Sequence, residues 1–366
     1  MKPTRVVIAG GGTGGHLYPG IAVARELLRR HPDALITFAG TARGIESRVV
    51  PLEGFELDLL RSAGLKRTSG VALLRAVLLL PLGGFDAWRI LSRRSPDLVI
   101  GVGGYSSGPV VLAAALRGIP TLLLEQNAVP GLTNRLLARI VSAAAVTFDS
   151  TAAYFGRRAF VAGNPVRPEF VSENAAPGVR VVGPPRLLIF GGSQGSHAIN
   201  VAMVEAAPQL AAHPGGMEIT HQTGERDLEL VKDGYRRAGL EARVEPFLFA
   251  MDREIRMADL VVCRAGATTI AELTAAGRPA VLVPLPTAAD DHQRKNAEVL
   301  VAGGAADIVE QKHLSGALIA ERIATLIADP ERLAAMSTAA RSMSRPNAAR
   351  VIADRAMELA RGGERR

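Results

Sequence analysis

Only one cysteine, Cys263, occurs in 366 residues. No intrachain disulfide can form, and the chain fits a reducing compartment. Aromatic residues make up only 4% of the chain. They form no row interleaved with basic residues, and no nucleic-acid-binding motif is present. The net charge of +8 and the pI of about 10.2 therefore point to phosphates or an anionic membrane surface, not to nucleic acid. No apolar stretch of spanning length runs unbroken. The longest uncharged run, residues 98–116, is interrupted by Gly103-Gly104-Tyr105-Ser106-Ser107-Gly108-Pro109 and reads as strand, turn and helix. The N-terminus has no charged segment followed by a long apolar one, so no signal peptide is expected. There is no strand-ending Asp-x-Asp to hold a divalent ion on a diphosphate. Asp290-Asp291-His292-Gln293 are neighbours that rarely converge on one ion, so neither a metal nor another cofactor is expected.

Glycine, by contrast, is abundant, with 38 residues, and apolar residues make up 48%. Short apolar runs alternate with helical patterns along the chain. They include Val6–Ala9, Leu35–Phe38, Leu98–Val102, Thr121–Leu124 and Ala144–Phe148. After the middle come Leu187–Phe190, Glu218–Thr220, Leu260–Cys263, Ala280–Val283 and Ala306–Val309. Such alternation predicts α/β domains with parallel sheets covered on both faces. The length fits two of them. Gly163-Asn164-Pro165-Val166-Arg167 and the Pro/Gly-rich residues 175–185 mark the boundary. The halves echo each other: Val6–His16 and Leu187–His197 each read as strand, glycine turn and helix. Two such domains would leave a cleft at the carboxyl ends of their strands, where open α/β folds bind ligands.

Glycines at a strand-to-helix turn let backbone N–H groups and a helix dipole approach a phosphate. Gly10, Gly12 and Gly15 fit G-x-G-x-x-G, but a dinucleotide site also needs an acidic residue at the end of the second strand. That strand ends Phe38-Ala39-Gly40-Thr41, which counts against a nicotinamide cofactor. A single glycine turn could equally serve close packing; three of them, at 10–15, 103–108 and 191–195, favour phosphate or sugar binding. His16 follows the first turn and is a candidate general base or a helix-capping residue. His197, in the comparable place of the second half, shows that such a histidine need not be catalytic. Cys263–Glu272 reads as a further turn opening a helix; Glu272 could hold a ribose diol or be a solvated surface residue. Arg167 is a candidate cation for a leaving diphosphate. Residues 71–91, with Trp88, are apolar and flanked by Lys66, Arg67, Arg75, Arg89, Arg93 and Arg94. They read either as a core helix broken at Pro81-Leu82-Gly83-Gly84 or as a patch docking on an anionic membrane.

Seven stretches carry a closer resemblance: GGGTGGHLYPG at 10–20, GGYSSGP at 103–109, EQN at 125–127, GNPVR at 163–167, GGSQG at 191–195, CRAGATTIAE at 263–272 and DDHQRKNA at 290–297. In this order and over most of the chain, they resemble the MurG family of peptidoglycan glycosyltransferases. The resemblance implies the GT-B architecture, two Rossmann-like α/β domains facing a cleft. It implies an N-terminal acceptor-binding, membrane-associating domain at 1–163, joined by a C-terminal helix at about 345–366. A UDP-GlcNAc-binding domain would occupy 164–344. The activity implied is inverting transfer of N-acetylglucosamine from UDP-GlcNAc to lipid I, giving lipid II, at the cytoplasmic face of the inner membrane. Carried over by position, Ser193 and Arg167 face the diphosphate and Glu272 the ribose. The backbone of Ala267, Thr268, Thr269, Ile270 and Ala271 meets the phosphates, and Leu248 meets uracil. Gln293 and Asn127 contact the GlcNAc, and Thr13, Gly14 and Gly15 approach the donor from the acceptor side. His16 is the general base with Glu125 as rival, and Tyr105 and Asn134 place the acceptor. The family pattern also favours membrane docking by residues 71–91. Two alternatives share parts of this pattern: a nonhydrolysing UDP-GlcNAc epimerase and a dinucleotide-dependent oxidoreductase.

Overall fold

The computed structural model describes residues 3–62, 70–170, 183–192 and 195–363. The chain forms two compact units, residues 1–167 with 345–366 and residues 168–344. In the first, seven strands form one parallel sheet: β1 (Arg5–Gly10), β2 (Leu35–Gly40), β3 (Glu56–Leu59), β4 (Leu98–Gly103), β5 (Thr121–Glu125), β6 (Ala143–Val146) and β7 (Ala159–Val161). Their spatial order is β3-β2-β1-β4-β5-β6-β7. The intervening helices are α1 (Gly14–Arg30), α2 (Glu46–Leu52), α3 (Gly70–Arg94), α4 (Ser107–Leu116), α5 (Leu132–Leu137) and α6 (Asp149–Ala152).

Successive strand residues point to opposite faces, so an unbroken apolar run supplies two cores at once. Val6 and Ile8 pack with Leu17, Ile21 and Ala24 of α1; Val7 and Ala9 pack on the other face with Ile90, Leu91, Val110 and Val111 of α3 and α4. The C-terminal helix, Ala348–Gly363, adds Ile352, Ala353, Ala356 and Met357 to the α1 face. The last helix therefore completes the first unit's core.

The second unit repeats the plan with β8 (Arg186–Phe190), β9 (Glu218–Gln222), β10 (Ala242–Glu245), β11 (Leu260–Cys263), β12 (Ala280–Leu282) and β13 (Ala306–Ile308). Their order is β10-β9-β8-β11-β12-β13, again all parallel. Its helices are α7 (His197–Ala211), α8 (Leu228–Arg237), α9 (Met251–Met257), α10 (Ala267–Ala276), α11 (His292–Ala302), α12 (Gly316–Ile327) and α13 (Pro330–Ser342). Leu187 and Ile189 pack against Ile199, Ala202, Met203 and Ala206 of α7.

The strand order reverses between β1 and β4 in one sheet and between β8 and β11 in the other. These are the switch points outside which open α/β sheets bind ligands. The motifs at 10–16 and 103–109 follow β1 and β4; those at 191–197 and 263–272 follow β8 and β11.

The break read at Pro81–Gly84 does not occur, because α3 is continuous through Pro81. Gly83 serves a close approach instead: a Cβ there would lie 2.6 Å from the Arg61 carbonyl oxygen. The same place is fixed by Arg61, whose backbone N–H donates to Asp86 Oδ2 at 3.0 Å and whose guanidinium grips that carboxylate at 2.7 and 2.8 Å.

Candidate functional site

At the first switch point the glycines are dictated by their neighbours. A Cβ on Gly10 would lie 2.5 Å from Gly103 O and from Val102 Cγ2, and one on Gly104 would lie 2.5 Å from Gly11 O. The turns after β1 and β4 thus pack backbone on backbone. A Cβ on Gly11 would collide with the carboxyl group of Glu46, a residue of α2 that is fully buried. Glu46 Oε2 accepts the Gly12 N–H at 2.7 Å; Oε1 accepts the Thr41 N–H at 2.9 Å and its hydroxyl at 2.8 Å. Gly12 is the second glycine of the fingerprint, whose amide would face a dinucleotide phosphate. Here a carboxylate of the chain itself holds that amide. Of the two readings of this turn, Gly10–Gly12 follow the packing one.

Beyond that plug the turn opens outward. Thr13 is exposed and caps α1 with extended backbone but no side-chain bond. Gly14 and Gly15, half-buried, begin the helix. Tyr105, 36% exposed, lays its ring 3.4 Å from where a Gly12 Cβ would be. His16 Nδ1 lies 3.3 Å from Gln126 Oε1, and Gln126 Nε2 donates to Val102 O at 3.0 Å. The carbonyl thus fixes the orientation of the Gln126 amide. Its oxygen faces Nδ1, which must carry the proton, and Nε2 keeps the lone pair. Burial holds the His16 pKa below its ordinary value, against the opposing pull of the bonds to Gln126 and Val102.

Glu125 is buried at the end of β5. Its Oε1 accepts the Asn127 N–H at 3.0 Å and Nδ2 at 3.3 Å; its Oε2 accepts the Gly131 N–H at 3.0 Å and Asn134 Nδ2 at 2.9 Å. Burial pushes its pKa up, and these bonds oppose the rise. Asn134 is buried too and also donates to Leu124 O at 3.1 Å. Glu125, Asn127 and Asn134 therefore form one tied loop, with Asn127 the least buried of the three.

The second switch point differs at the matching place. Gly192 corresponds to Gly11, has φ +99°, and a Cβ there would meet nothing within 4 Å among the described residues. Ser193 and Gln194 lie outside the described residues. Gln222, buried at the end of β9, donates from Nε2 to Gly192 O at 2.9 Å, and its Oε1 accepts the Leu248 N–H at 2.8 Å. The Leu248 backbone thus keeps its carbonyl for other partners. Arg264 follows β11 and donates to Val283 O, Pro284 O, Ser196 Oγ and Gln311 Oε1 at 2.6–3.2 Å, all neutral acceptors. Burial lowers its pKa to about 10, so it stays charged at neutral pH.

Helix α10 starts at Ala267 behind Gly266, whose extended backbone leaves the first-turn amides of Ala267, Thr268 and Thr269 without an intrahelical acceptor. Ile270 closes the turn onto Gly266 O at 2.9 Å. Ala267 and Ile270 are buried, while Thr268, Thr269 and Ala271 are half-buried. Glu272 is only 7% exposed, which removes the reading of a solvated surface residue. Burial, and after it the charge of Glu272, raises the pKa of the buried Cys263, which suits packing rather than nucleophilic work. Gln293 opens α11, and its Oε1 accepts the Leu285 N–H at 3.0 Å, leaving its amide hydrogens directed elsewhere. Arg167 is exposed. His197 is exposed at the start of α7 and holds Asp227 at 3.0 Å.

On the first unit, α3 and α4 share an apolar face with Leu82, Phe85, Trp88, Leu112 and Leu116 exposed, Phe85 and Leu116 by 64% and 73%. Arg117 stacks 5.0 Å over the Trp88 ring, and Arg89 and Arg93 are exposed on α3. Lys66 and Arg67 lie outside the described residues, as does the side chain of Arg75. No helix of the described residues is long and apolar enough to cross a membrane.

Comparison with known proteins bears on what these turns hold. The glycosyltransferase family 28 N-terminal domain matches residues 6–146, and the family 28 C-terminal domain matches residues 186–352. Fold and paired switch-point turns thus define a two-domain glycosyltransferase of GT-B architecture. A protein of Anaeromyxobacter dehalogenans (strain 2CP-C) is 50% identical over 358 residues, covering 98% of this chain and 93% of its own. It is named UDP-N-acetylglucosamine--N-acetylmuramyl-(pentapeptide) pyrophosphoryl-undecaprenol N-acetylglucosamine transferase. A protein of the same name from Myxococcus xanthus (strain DK1622) is 46% identical, covering 97% of this chain and 93% of its own. The crystal structure of Acinetobacter baumannii MurG superposes with a TM-score of 0.81 at 32% identity, covering 97% of this chain and all of that one. The chain belongs to the MurG family of glycosyltransferases. UDP-GlcNAc 2-epimerase from Neisseria meningitidis, with a TM-score of 0.68 at 15% identity over 97% of this chain and 100% of that one, shares the fold.

Glu46 and Gln222 are the residues that reading the motifs missed. Glu46 lies 34 residues from the amide it holds, and only Gly40 and Gly44, which form its socket with Gly11, hint at it. Replacing Glu46 with Ala leaves the buried Thr41 N–H and the half-buried Gly12 N–H without their acceptor, at about 1–3 kcal/mol for the buried one and less for the other. Urea unfolding should show a loss of that size in Glu46→Ala and a smaller one in Glu46→Gln. An unchanged transition midpoint in Glu46→Ala would contradict the structural role.

Proposed function

We propose that this chain transfers N-acetylglucosamine from UDP-GlcNAc to the 4-hydroxyl of the muramyl sugar of lipid I, forming lipid II with inversion at the anomeric carbon. One arrangement carries the assignment: among the described residues the second switch point is open at Gly192, and the same end of the sheet holds the first turn of α10 with amides lacking an intrahelical acceptor, a buried Glu272 and the charged Arg264. This set suits a ribose and a diphosphate, and the chain is half identical over nearly its whole length to transferases so named. The donor is assigned mainly to the second unit: Glu272 to the ribose, the amides of residues 267–271 with Ser193 to the diphosphate, Leu248 to uracil, and Gln293 to the sugar; Arg167, the last residue of the first unit, is also assigned to the diphosphate. The first unit takes the acceptor, with Thr13, Gly14, Gly15, Tyr105 and Asn127 nearest the reacting groups. The plug at Gly12 supports this division, since Glu46 already holds the amide that a dinucleotide-type fingerprint offers to a nucleotide phosphate.

His16 is the general base in this reading. The acceptor oxygen bonds to C1 of the sugar, its proton passes to His16 Nε2, and the C1–O bond breaks with its electron pair leaving on UDP. A neutral imidazole with a fixed tautomer supports that role. Glu125 has both oxygens committed to Asn127, Gly131 and Asn134, so it and Asn134 act by holding the loop.

The α3–α4 face docks the enzyme on the cytoplasmic surface of the inner membrane, where lipid I is embedded. Exposed Phe85 and Trp88 would enter the headgroup region while arginines meet anionic lipid.

The first test is UDP release from UDP-GlcNAc with and without a lipid I analogue. Release should require the analogue; conversion of UDP-GlcNAc to an epimerised sugar nucleotide without the analogue and without UDP release would favour the epimerase. His16→Gln should lower kcat about 10²–10⁴-fold with little change in UDP affinity. Because the neutral form is the base and burial lowers its pKa, wild-type activity should fall only as pH drops through a value below 6.5. That acidic limb should vanish in His16→Gln; near-normal turnover in the variant would sink the assignment. For the membrane face, Phe85→Ser with Trp88→Ser should weaken binding to phosphatidylglycerol vesicles while sparing turnover of a water-soluble acceptor. Unchanged vesicle binding would argue against docking there.

A further inference from the structure

Gln222 is given no contact with the donor itself, yet its side chain joins two of the segments assigned to it. One end donates to Gly192 O at 2.9 Å, in the glycine turn given the diphosphate; the other accepts the N–H of Leu248 at 2.8 Å, in the segment given the base. The side chain is 2% exposed, so no water competes for either bond. Both partners are backbone groups of fixed polarity, one acceptor and one donor. Only a side chain with a donor and an acceptor at that reach satisfies both, and a carboxamide does.

The residues after Gln222 reinforce the same link. Thr223 N–H donates to Glu245 O at 3.0 Å and Gly224 N–H to Pro246 O at 3.1 Å. These tie the end of β9 to the residues leading into Leu248. On the other side, Gly195 lies so close to Thr223 O that no side chain fits between them. The end of β9 is therefore wedged between the glycine turn and the 246–248 segment, with Gln222 spanning the gap.

The first unit supplies the contrast. There the side chain beside the equivalent glycine is a carboxylate, Glu46, which holds a backbone amide that a phosphate would otherwise use. In the second unit the neighbour is an uncharged carboxamide that bonds the turn through the Gly192 carbonyl, which also accepts the Gly195 N–H at 2.9 Å, and it takes up no amide of the turn.

We propose that Gln222 is a positioning residue that fixes the spacing between the diphosphate turn and the base-contacting segment, and so determines donor affinity. This rests on the assignment of UDP-GlcNAc to the second unit. Gln222→Met keeps the shape and loses both bonds. Gln222→Glu keeps the bond from Leu248, loses the one to Gly192, and adds negative charge beside the turn.

UDP binding to the wild-type chain is measured first by calorimetry; its absence would overturn the donor assignment and this inference with it. Given binding, Gln222→Met should raise the KM for UDP-GlcNAc and the Kd for UDP about tenfold, as expected for losing two buried bonds. Gln222→Glu should raise them further. In both, kcat at saturating donor and the KM for the lipid I analogue should stay within about twofold. A wild-type donor KM in Gln222→Met overturns the proposal. So do parallel rises in donor and acceptor KM, which mark a general loss of structure, and a Gln222→Glu variant that binds UDP better than Gln222→Met.

Discussion

At each switch point a backbone turn leaves no room for a Cβ, and what fills the adjacent space decides what the turn can bind. Gly10 and Gly104 are glycines because β1 and β4 bring their turns into contact. Gly195 is a glycine because the end of β9 lies against it. These positions are packing constraints, common to both units. The difference lies one residue on, where Gly11 faces the carboxyl group of Glu46 and Gly192 faces open space among the described residues.

That difference is electrostatic as much as steric. A buried carboxylate already satisfied by Gly12 and Thr41 gives the first turn an internal anion in the place a phosphate takes in dinucleotide-binding folds. The second turn has a neutral carboxamide beside it and the half-buried but charged guanidinium of Arg264 close by, through Ser196. Two halves with the same topology thus present opposite local charge at their equivalent turns. This suits a transferase in which one unit takes a nucleotide and the other must offer a base and a hydroxyl-binding surface. In the proposed function His16 belongs to the second kind of chemistry: burial lowers its pKa and Gln126 fixes its tautomer.

Much of this fold was legible in the sequence because parallel strands buried on both faces read as unbroken apolar runs. β1, β4, β8 and β11 are such strands, and the switch points fall at their ends. β3, β7 and β10 were not read, and all three are sheet edges. One side of an edge strand faces solvent, so β3 carries the exposed Glu56 and β10 the exposed Arg243 and Glu245, while the buried Asp58 of β3 pairs with Arg93 and Arg94; these charges erase the apolar signal. The proposed site is legible where its residues lie in a local motif, as at His16, Glu272 and the start of α10. It was not legible where function depends on a side chain from another segment. Neither Glu46, in ESRVVPL, nor Gln222, in EITHQ, has a local pattern that announces its partner. The apparent helix breaker at Pro81–Gly84 misled for a related reason: Gly83 answers to the Arg61 backbone, which is distant in sequence.

The two glycine turns are chemically different, and in the proposed function only the second takes the nucleotide. Amide hydrogen exchange with and without UDP tests this most directly. UDP should slow exchange at the start of α7, at residues 246–250 and in the first turn of α10, and leave residues 10–16 unchanged. Slowed exchange at 10–16, or none at the start of α10, would contradict the account.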